Sequence, residues 1–328
     1  MRPVSFNFPL MDRGSGCWYY RLEIPRRELL KKGLPVYENE PSKADIQVFS
    51  RVQTPGCIKL IKRLKQDGKK IVCDLDDFTW AIDPRNPYSE DVTPSLLQYM
   101  DEAVGLADLV TVTTRNLKSA VKRRFPGKKI EILPNFVDKE LPGGVSAVPD
   151  TLDPQKFVFL ASGSISHMGD FSILPYIAKM FLPTEVQWVV FGPEDFRNIV
   201  PNATWISEQK THDYLATLAD LGHRFKTVGV VPLEKNAFNE SKSRLKMVEY
   251  SNASIPGVYS AVGEYAETRR GEMIPPDAPA TSWACGIRLV MTRHKQLSSA
   301  AKQSIDSCCT ADIGVGMWER AYNQLGGN

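Results

Sequence analysis

No apolar run in these 328 residues approaches the ~20 residues that a bilayer span requires, so the chain is not expected to cross a membrane. The start, Met1-Arg2-Pro3-Val4-Ser5-Phe6, leads directly into an apolar strand, without the h-region or cleavage site of a secretory signal. The expected location is therefore the cytoplasm. Four histidines and six cysteines (Cys17, Cys57, Cys73, Cys285, Cys308 and Cys309) show no CxxC pair and no zinc-like spacing. Scattered thiols fit a reducing compartment, where they serve as small core or surface residues. Low-complexity tracts are missing too, and 42% hydrophobic with 24% charged residues is the balance of a globular protein. The length suits two cores of ordinary size. Nothing in the sequence sets an oligomeric state.

Charge is unevenly spread. Residues 1–145 hold 24 Lys+Arg against 19 Asp+Glu, and the remainder holds 17 against 19. Two stretches carry much of the excess: Lys59, Lys62, Arg63, Lys65, Lys69, Lys70, and Lys118, Lys122, Arg123, Arg124, Lys128, Lys129. Solvated helix faces and an anion-binding surface both account for them.

Short apolar runs alternate with helical patterns. Strands are expected at Val4–Phe8, Ile46–Ser50, Lys70–Asp74, Leu109–Thr113 and Ile130–Leu133, the compact kind that lies buried in parallel sheets. Helices are expected over 16–32 (broken at Pro25), 56–66, 94–106 and 115–124. A linker with Pro134, Pro142, Gly143, Gly144, Pro149 and Pro154 follows. Alternation then restarts, with strands Phe157–Ala161, Val186–Phe191, Thr204–Ile206, Arg224–Val228 and Gly257–Ser260. The helices between and after them are expected near 171–182, 212–221, 241–251, 287–305 and 316–325. This is an α/β chain of two doubly wound, Rossmann-like domains, whose ligands belong in the crevice between strand C-termini. The expected division is 1–140, a linker over 141–155, a second domain over 156–310, and a C-terminal helix over 311–328 that returns to the first domain.

Certain motifs carry a family likeness. Thr111-Val-Thr-Thr-Arg-Asn-Leu followed by Ile132-Leu-Pro-Asn135-Phe-Val-Asp138 resembles the first-domain exit of retaining glycosyltransferases of family 4. Phe238-Asn239-Glu-Ser241-Lys242-Ser-Arg-Leu-Lys246-Met-Val-Glu249-Tyr250 resembles their donor-binding helix, and Gly257-Val-Tyr-Ser260 and Gly263-Glu-Tyr-Ala follow in order. The resemblance covers nearly the whole chain. It implies the GT-B fold, transfer from a nucleotide sugar (a UDP-sugar) with retention, and no metal or other cofactor.

The resemblance also suggests site residues. Ser241 and Lys242 are expected at a helix N-terminus, whose free N–H groups suit a diphosphate. Lys242 and Lys246 would stabilise the leaving group, and Glu249 would accept both ribose hydroxyls. Asn239 is counted with them. Family members carry a second Glu eight residues upstream of the first, and here that position is Ser241. The loop Ala161-Ser-Gly163-Ser164-Ile-Ser-His167-Met-Gly169-Asp170 is expected at the diphosphate, with Ser164 and His167 as donors. Arg13-Gly14-Ser15-Gly16 and Arg21 would face it from the acceptor side.

Cys73-Asp74-Leu75-Asp76-Asp77-Phe78-Thr79 suggests a rival. A strand ending in Asp-x-Asp is the nucleophile loop of haloacid-dehalogenase-type phosphatases. The Thr those enzymes need falls one place late, at Thr79, and the strand is an inner one. As part of a glycosyltransferase, Asp74 and Asp77 would lie on the acceptor side and Asp76 at the reacting centre. The basic first half suits a polyanionic acceptor, and because the small size and trimmed loops resemble phage-encoded enzymes that glycosylate hydroxymethylated bases, such a base in phage DNA is the foremost expectation. A lipid-linked or cell-surface glycan, a small metabolite, and a non-catalytic nucleotide-sugar or polyanion-binding module are the alternatives.

Overall fold

A computed structural model describes residues 2–8, 13–141, 143–268 and 271–325. In the first half, six strands pair in parallel in the order β2-β1-β3-β4-β5-β6: β1 Val4–Asn7, β2 Val36–Glu38, β3 Ile46–Ser50, β4 Lys70–Leu75, β5 Leu109–Val112 and β6 Ile130–Ile132. A second parallel sheet runs β12-β11-β10-β7-β8-β9, from β7 Phe157–Ser162, β8 Val186–Gly192, β9 Thr204–Ser207, β10 Lys226–Val231, β11 Gly257–Ser260 and β12 Glu272–Ile274. Inner strands such as β3 and β5 are buried at every position, as expected for sheets covered on both faces. The helix Pro55–Gln66 illustrates the cover. Thr54 caps it, Pro55 opens it, and Ile58, Ile61 and Leu64 bury one face, each contributing ~1.5–3 kcal/mol.

Several expected elements shift for identifiable reasons. The break at Pro25 does not occur. Residues 16–31 run on as helix, with a π-type turn over Tyr19–Glu23 between α segments Gly16–Trp18 and Ile24–Lys31. That wider turn places Pro25 in the opening turn of the last segment, where its missing N–H is tolerated. The helix expected over 171–182 is a 3₁₀ turn, Asp170–Ile173, followed by Leu174–Ala178, with Pro175 in its first turn. The helix Thr211–Arg224 outruns its expected end and pushes the next strand to Lys226–Val231. The helix expected over 241–251 is two, Ala237–Ser241 and Leu245–Asn252. The short edge strands β2 and β12 have too little alternation to be seen in the sequence. At the end, three helices occur where two were expected: Ala280–Thr292, His294–Asp306 and Ala311–Asn323.

Between β6 and β7 the described residues contain no helix or strand; Pro142 lies outside them. Val137 makes an isolated parallel bridge to Thr310 there, so the outgoing and returning segments run side by side. The helix Ala311–Asn323 then lies on the first sheet's side. Tyr322 meets the Phe6 ring edge-on, Trp318 meets Phe136, and Glu319 pairs with Lys32. Gly314 permits this approach, since a Cβ there would lie 2.5 Å from the Phe136 ring.

Candidate functional site

The C-terminal strand ends of the two sheets face one another across a cavity of about 660 Å³. Loops after β1, β3, β4, β7 and β9 line it, as does the segment from Lys242 to Glu249. Of the expected residues, Gly14, Ser15, Gly16, Arg21, Asp76, Asp77, Gly163, Ser164, His167, Lys242, Lys246 and Glu249 all reach this one space.

Glu249 is buried at its floor. Its Oε1 accepts from the Tyr20 hydroxyl at 2.8 Å, and its Oε2 accepts from Tyr214 and from Lys246 Nζ, both at 3.1 Å. Lys246 also donates to the Tyr214 oxygen at 3.0 Å. Burial and the neighbouring carboxylate push both phenols well up, so they remain donors. Tyr20 comes from the first domain and the other groups from the second.

Lys242 is also buried, which lowers its pKa, and its ammonium lies over the Phe238 ring. Its Nζ lies 3.3 Å from His167 Nε2. Burial and Lys242 hold His167 down at about 4, although Asp170, 2.8 Å from Nδ1, works against this. The imidazole is therefore neutral near pH 7, with Nδ1–H donating to Asp170 and Nε2 accepting from Lys242. This corrects the expectation that His167 donates to a diphosphate. Gly163 is required beside it, because a Cβ would lie 2.8 Å from the imidazole.

Three further expectations need correction. Ser241 and Lys242 do not open the donor helix: Ser241 ends the short helix Ala237–Ser241, and Lys242 is its C-cap. The turn that opens Leu245–Asn252 presents Leu245 and Lys246 to the cavity instead. Asn239 is buried away from the cavity, its Nδ2 donating to Asp170 Oδ1 at 2.8 Å and to the Glu234 carbonyl at 3.0 Å. Arg13 is largely exposed and pairs with Glu38 at 2.6 Å, outside the lining.

The carboxylates of the Asp-rich loop have different partners. Asp74 is buried against Arg21 through two bonds of 2.6 and 3.0 Å, and also accepts from Thr111 at 2.6 Å. A carboxylate held this way is not free to attack phosphorus, which removes the basis of the phosphatase reading. Burial raises Asp76, but Arg51, the Cys17 thiol and Arg21 together hold it below the usual carboxylate range. Burial and Asp76 raise Asp77, against the pull of Lys242 and Arg51. Arg51 Nε lies 3.2 Å from Asp76 and its Nη2 lies 3.5 Å from Asp77. Arg51 holds a φ of 49°, a left-handed conformation uncommon for a side chain of its size. Among the described residues, no group of three or more His, Cys, Asp or Glu could hold a metal ion.

The two halves are bonded to each other around the cavity. Thr211 donates through N and Oγ1 to the Gly14 carbonyl, Asn86 donates to Ser166 O, and Asn135 donates to Ser243 Oγ. By contrast, parts of the basic stretches lie at the opposite pole, where strands begin. Lys65 pairs with Asp108, Lys69 with Asp45, and Lys128 donates to the carbonyls of Gly105 and Ala107. Lys62 and Arg124 are taken by Glu102 and Asp101.

Sequence reasoning gave no role to Tyr20, Tyr214, Arg51 or Cys17. Arg51 had a usable signal, being the first residue after a recognised strand. The tyrosines had none: Tyr20 meets Glu249 only because the domains face each other, and Tyr214 only because two helices of the second domain pack together.

No protein-family model and no curated protein matches the chain. Solved structures do. Sucrose-phosphate synthase from Thermosynechococcus elongatus is 15% identical over 99% of both chains, with a TM-score of 0.69. Anabaena HepE in complex with UDP and glucose is 12% identical over 99% of this chain and 100% of that one, with a TM-score of 0.68. The pneumococcal O-GlcNAc transferase GtfA in complex with UDP and GlcNAc is 14% identical, with a TM-score of 0.56. That match covers 86% of this chain and 57% of that one. Two parallel six-stranded sheets facing one cleft, shared with these structures over nearly the whole chain, give this protein the GT-B fold.

Proposed function

We propose that this protein is a glycosyltransferase that takes a sugar from a UDP-sugar and transfers it, with retention, to an acceptor hydroxyl. One observation carries the reading: Lys242, Lys246 and Glu249 converge on a single cavity between the sheets. The UDP complexes of HepE and GtfA support the donor class, and the family 4 resemblance supports retention. In this mechanism the bond from the anomeric carbon to the β-phosphate oxygen breaks, and its electron pair stays on the phosphate. Lys242 and Lys246, both lining the cavity, offset that charge. The acceptor oxygen bonds the anomeric carbon on the same face and passes its proton to the departing phosphate. Glu249 takes the ribose hydroxyls, and Asp76 and Asp77 with Arg51 orient the acceptor. No metal ion is needed, because two lysines supply the positive charge.

The acceptor that fits is an uncharged polyhydroxyl group such as a glycan. Duplex DNA drew its support from the basic stretches. Of their residues, Lys65, Lys69 and Lys128 are held at the far pole, Lys62 and Arg124 are paired with acids, and the carboxylates of Asp76 and Asp77 line the cleft. A screen of UDP-sugars for hydrolysis and transfer tests the reading, with oligosaccharides and hydroxymethylated DNA as competing acceptors. Transfer to the oligosaccharide is expected. A protein that binds no nucleotide sugar refutes the reading, and one that binds but never consumes it is the non-catalytic module.

A further inference from the structure

Of the seven large apolar side chains exposed among the described residues, three (Tyr176, Met180 and Leu182) lie within one short stretch of the second domain. Tyr176 is on the helix Leu174–Ala178, and Met180 and Leu182 are on the turn that follows, beside the helix Ala280–Thr292. The Arg288 guanidinium joins the elements, donating to the Met180 carbonyl at 2.8 Å and lying 4.9 Å from the Phe181 ring centre. The turn sits where the strands of the second sheet begin, since Phe157 N–H at the start of β7 donates to Glu185 O. This pole is opposite the cleft. Tyr176 and Leu182 are 60% and 62% exposed, so the apolar tip protrudes and does not form a groove.

Cations surround the tip. Lys179 Nζ lies 5.6 Å from the Tyr176 ring centre, Arg288 flanks the turn, and Lys156 donates to the Pro183 carbonyl at 2.9 Å. Glu185, at the base of the turn, is the acid nearest to it in sequence. Single exposed apolar residues are ordinary, but a gathered set flanked by three cations and one acid marks a contact surface. Protruding Leu, Met and Tyr side chains suit the boundary between acyl chains and headgroups, and the ammonium and guanidinium groups suit lipid phosphates. We propose that this pole docks on an anionic phospholipid surface as a peripheral contact; no helix among the described residues is long and apolar enough to span a bilayer. The proposal is independent of the glycosyltransferase reading and goes beyond it.

Sedimentation of the full chain with vesicles tests it without any activity measurement. The protein should sediment with vesicles of equal parts phosphatidylglycerol and phosphatidylcholine at low salt, and stay in solution with phosphatidylcholine alone. Leu182→Asp and Met180→Asp, both at exposed positions, should each lower the partition on the order of tenfold. Lys179→Glu should weaken it and flatten its salt dependence. The proposal is overturned if the wild-type protein ignores anionic vesicles at low salt. It also fails if binding survives Leu182→Asp but is lost on reversing Lys62, Arg63, Lys122 and Arg123 to Glu, which would move the contact to the first domain. A wild-type dimer that Leu182→Asp makes monomeric, with no vesicle binding, would instead identify a surface for a second copy.

Discussion

The hydroxyl of Tyr20 reaches across the cleft to Glu249 Oε1 at 2.8 Å, so a first-domain group joins Tyr214 and Lys246 on the carboxylate proposed to hold ribose. The π-type turn makes this possible. Within it, consecutive residues separate to distant partners, with Tyr19 bonded to Asp138 beside the crossover, Tyr20 to Glu249, and Arg21 to Asp74. π-type turns are frequent at functional sites.

Glu249→Gln should weaken UDP binding by ~1.5–3 kcal/mol, the worth of hydrogen bonds to a charged acceptor. An amide also turns one acceptor into a donor, which must face either Tyr20 or the Tyr214–Lys246 pair, all of them donors. Calorimetry on the folded variant measures this. Unchanged affinity would take Glu249 out of the donor site.

Tyr20→Phe removes the bond between domains and leaves Tyr214 and Lys246 on Glu249. Urea unfolding should show a loss of ~1 kcal/mol, the typical net value of one such bond. UDP affinity should stay near wild type, because the nucleotide's proposed ligands are all in the second domain. A large affinity loss would mean that Tyr20 itself touches the donor.

Arg21→Ala should destabilise the fold by ~3–5 kcal/mol, the usual penalty when one member of a buried ion pair is deleted. Among the described residues, Asp74 would then keep Thr111 and the distant Ser50 as hydrogen-bond partners, 2.6 and 3.4 Å away. Arg21→Ala with Asp74→Ala should recover part of the loss, because the stranded charge disappears. Thermal denaturation that ranks the double variant below the single one would contradict this account.

Much of the architecture was legible because buried parallel strands declare themselves: Ile46–Ser50 and Gly257–Ser260 were placed to the residue. Errors arose where local chemistry outweighed pattern. Pro25 read as a break because sequence does not announce a π-type turn, and Ser241 read as a helix start because the break at 242–244 contains neither Gly nor Pro. Within the cavity, residues at strand ends could be anticipated from topology. Charge did not transfer so simply: Lys65 and Lys128 were counted as open basic surface, and the fold turns both toward the pole opposite the cleft.

EDTA should leave the transfer rate unchanged, and added Mg²⁺ should not raise it. Asp74 is committed to Arg21 and Asp76 to Arg51, so the loop lacks the uncommitted pair of carboxylates a magnesium site requires. Activity abolished by EDTA and restored by Mg²⁺ would overturn metal independence.

His167 gives a stability effect with a definite sign. Burial and Lys242 lower its folded pKa to about 4, below the ordinary 6.5. Between those values the unfolded chain binds the proton more readily, so stability falls as pH drops. The group's contribution is fully present above 6.5 and is lost progressively down to about 4, up to ~3 kcal/mol in all at ~1.4 kcal/mol per pKa unit. Other groups titrate in the same window, so the measurement is a difference between proteins. His167→Gln keeps a donor for Asp170 and an acceptor for Lys242 but cannot be protonated. Urea unfolding at a series of pH values should therefore show the wild type losing its advantage over His167→Gln as pH falls from 7 to 4. Parallel curves for the two proteins would mean that His167 titrates alike in both states and that its neutral role beside Lys242 is wrong.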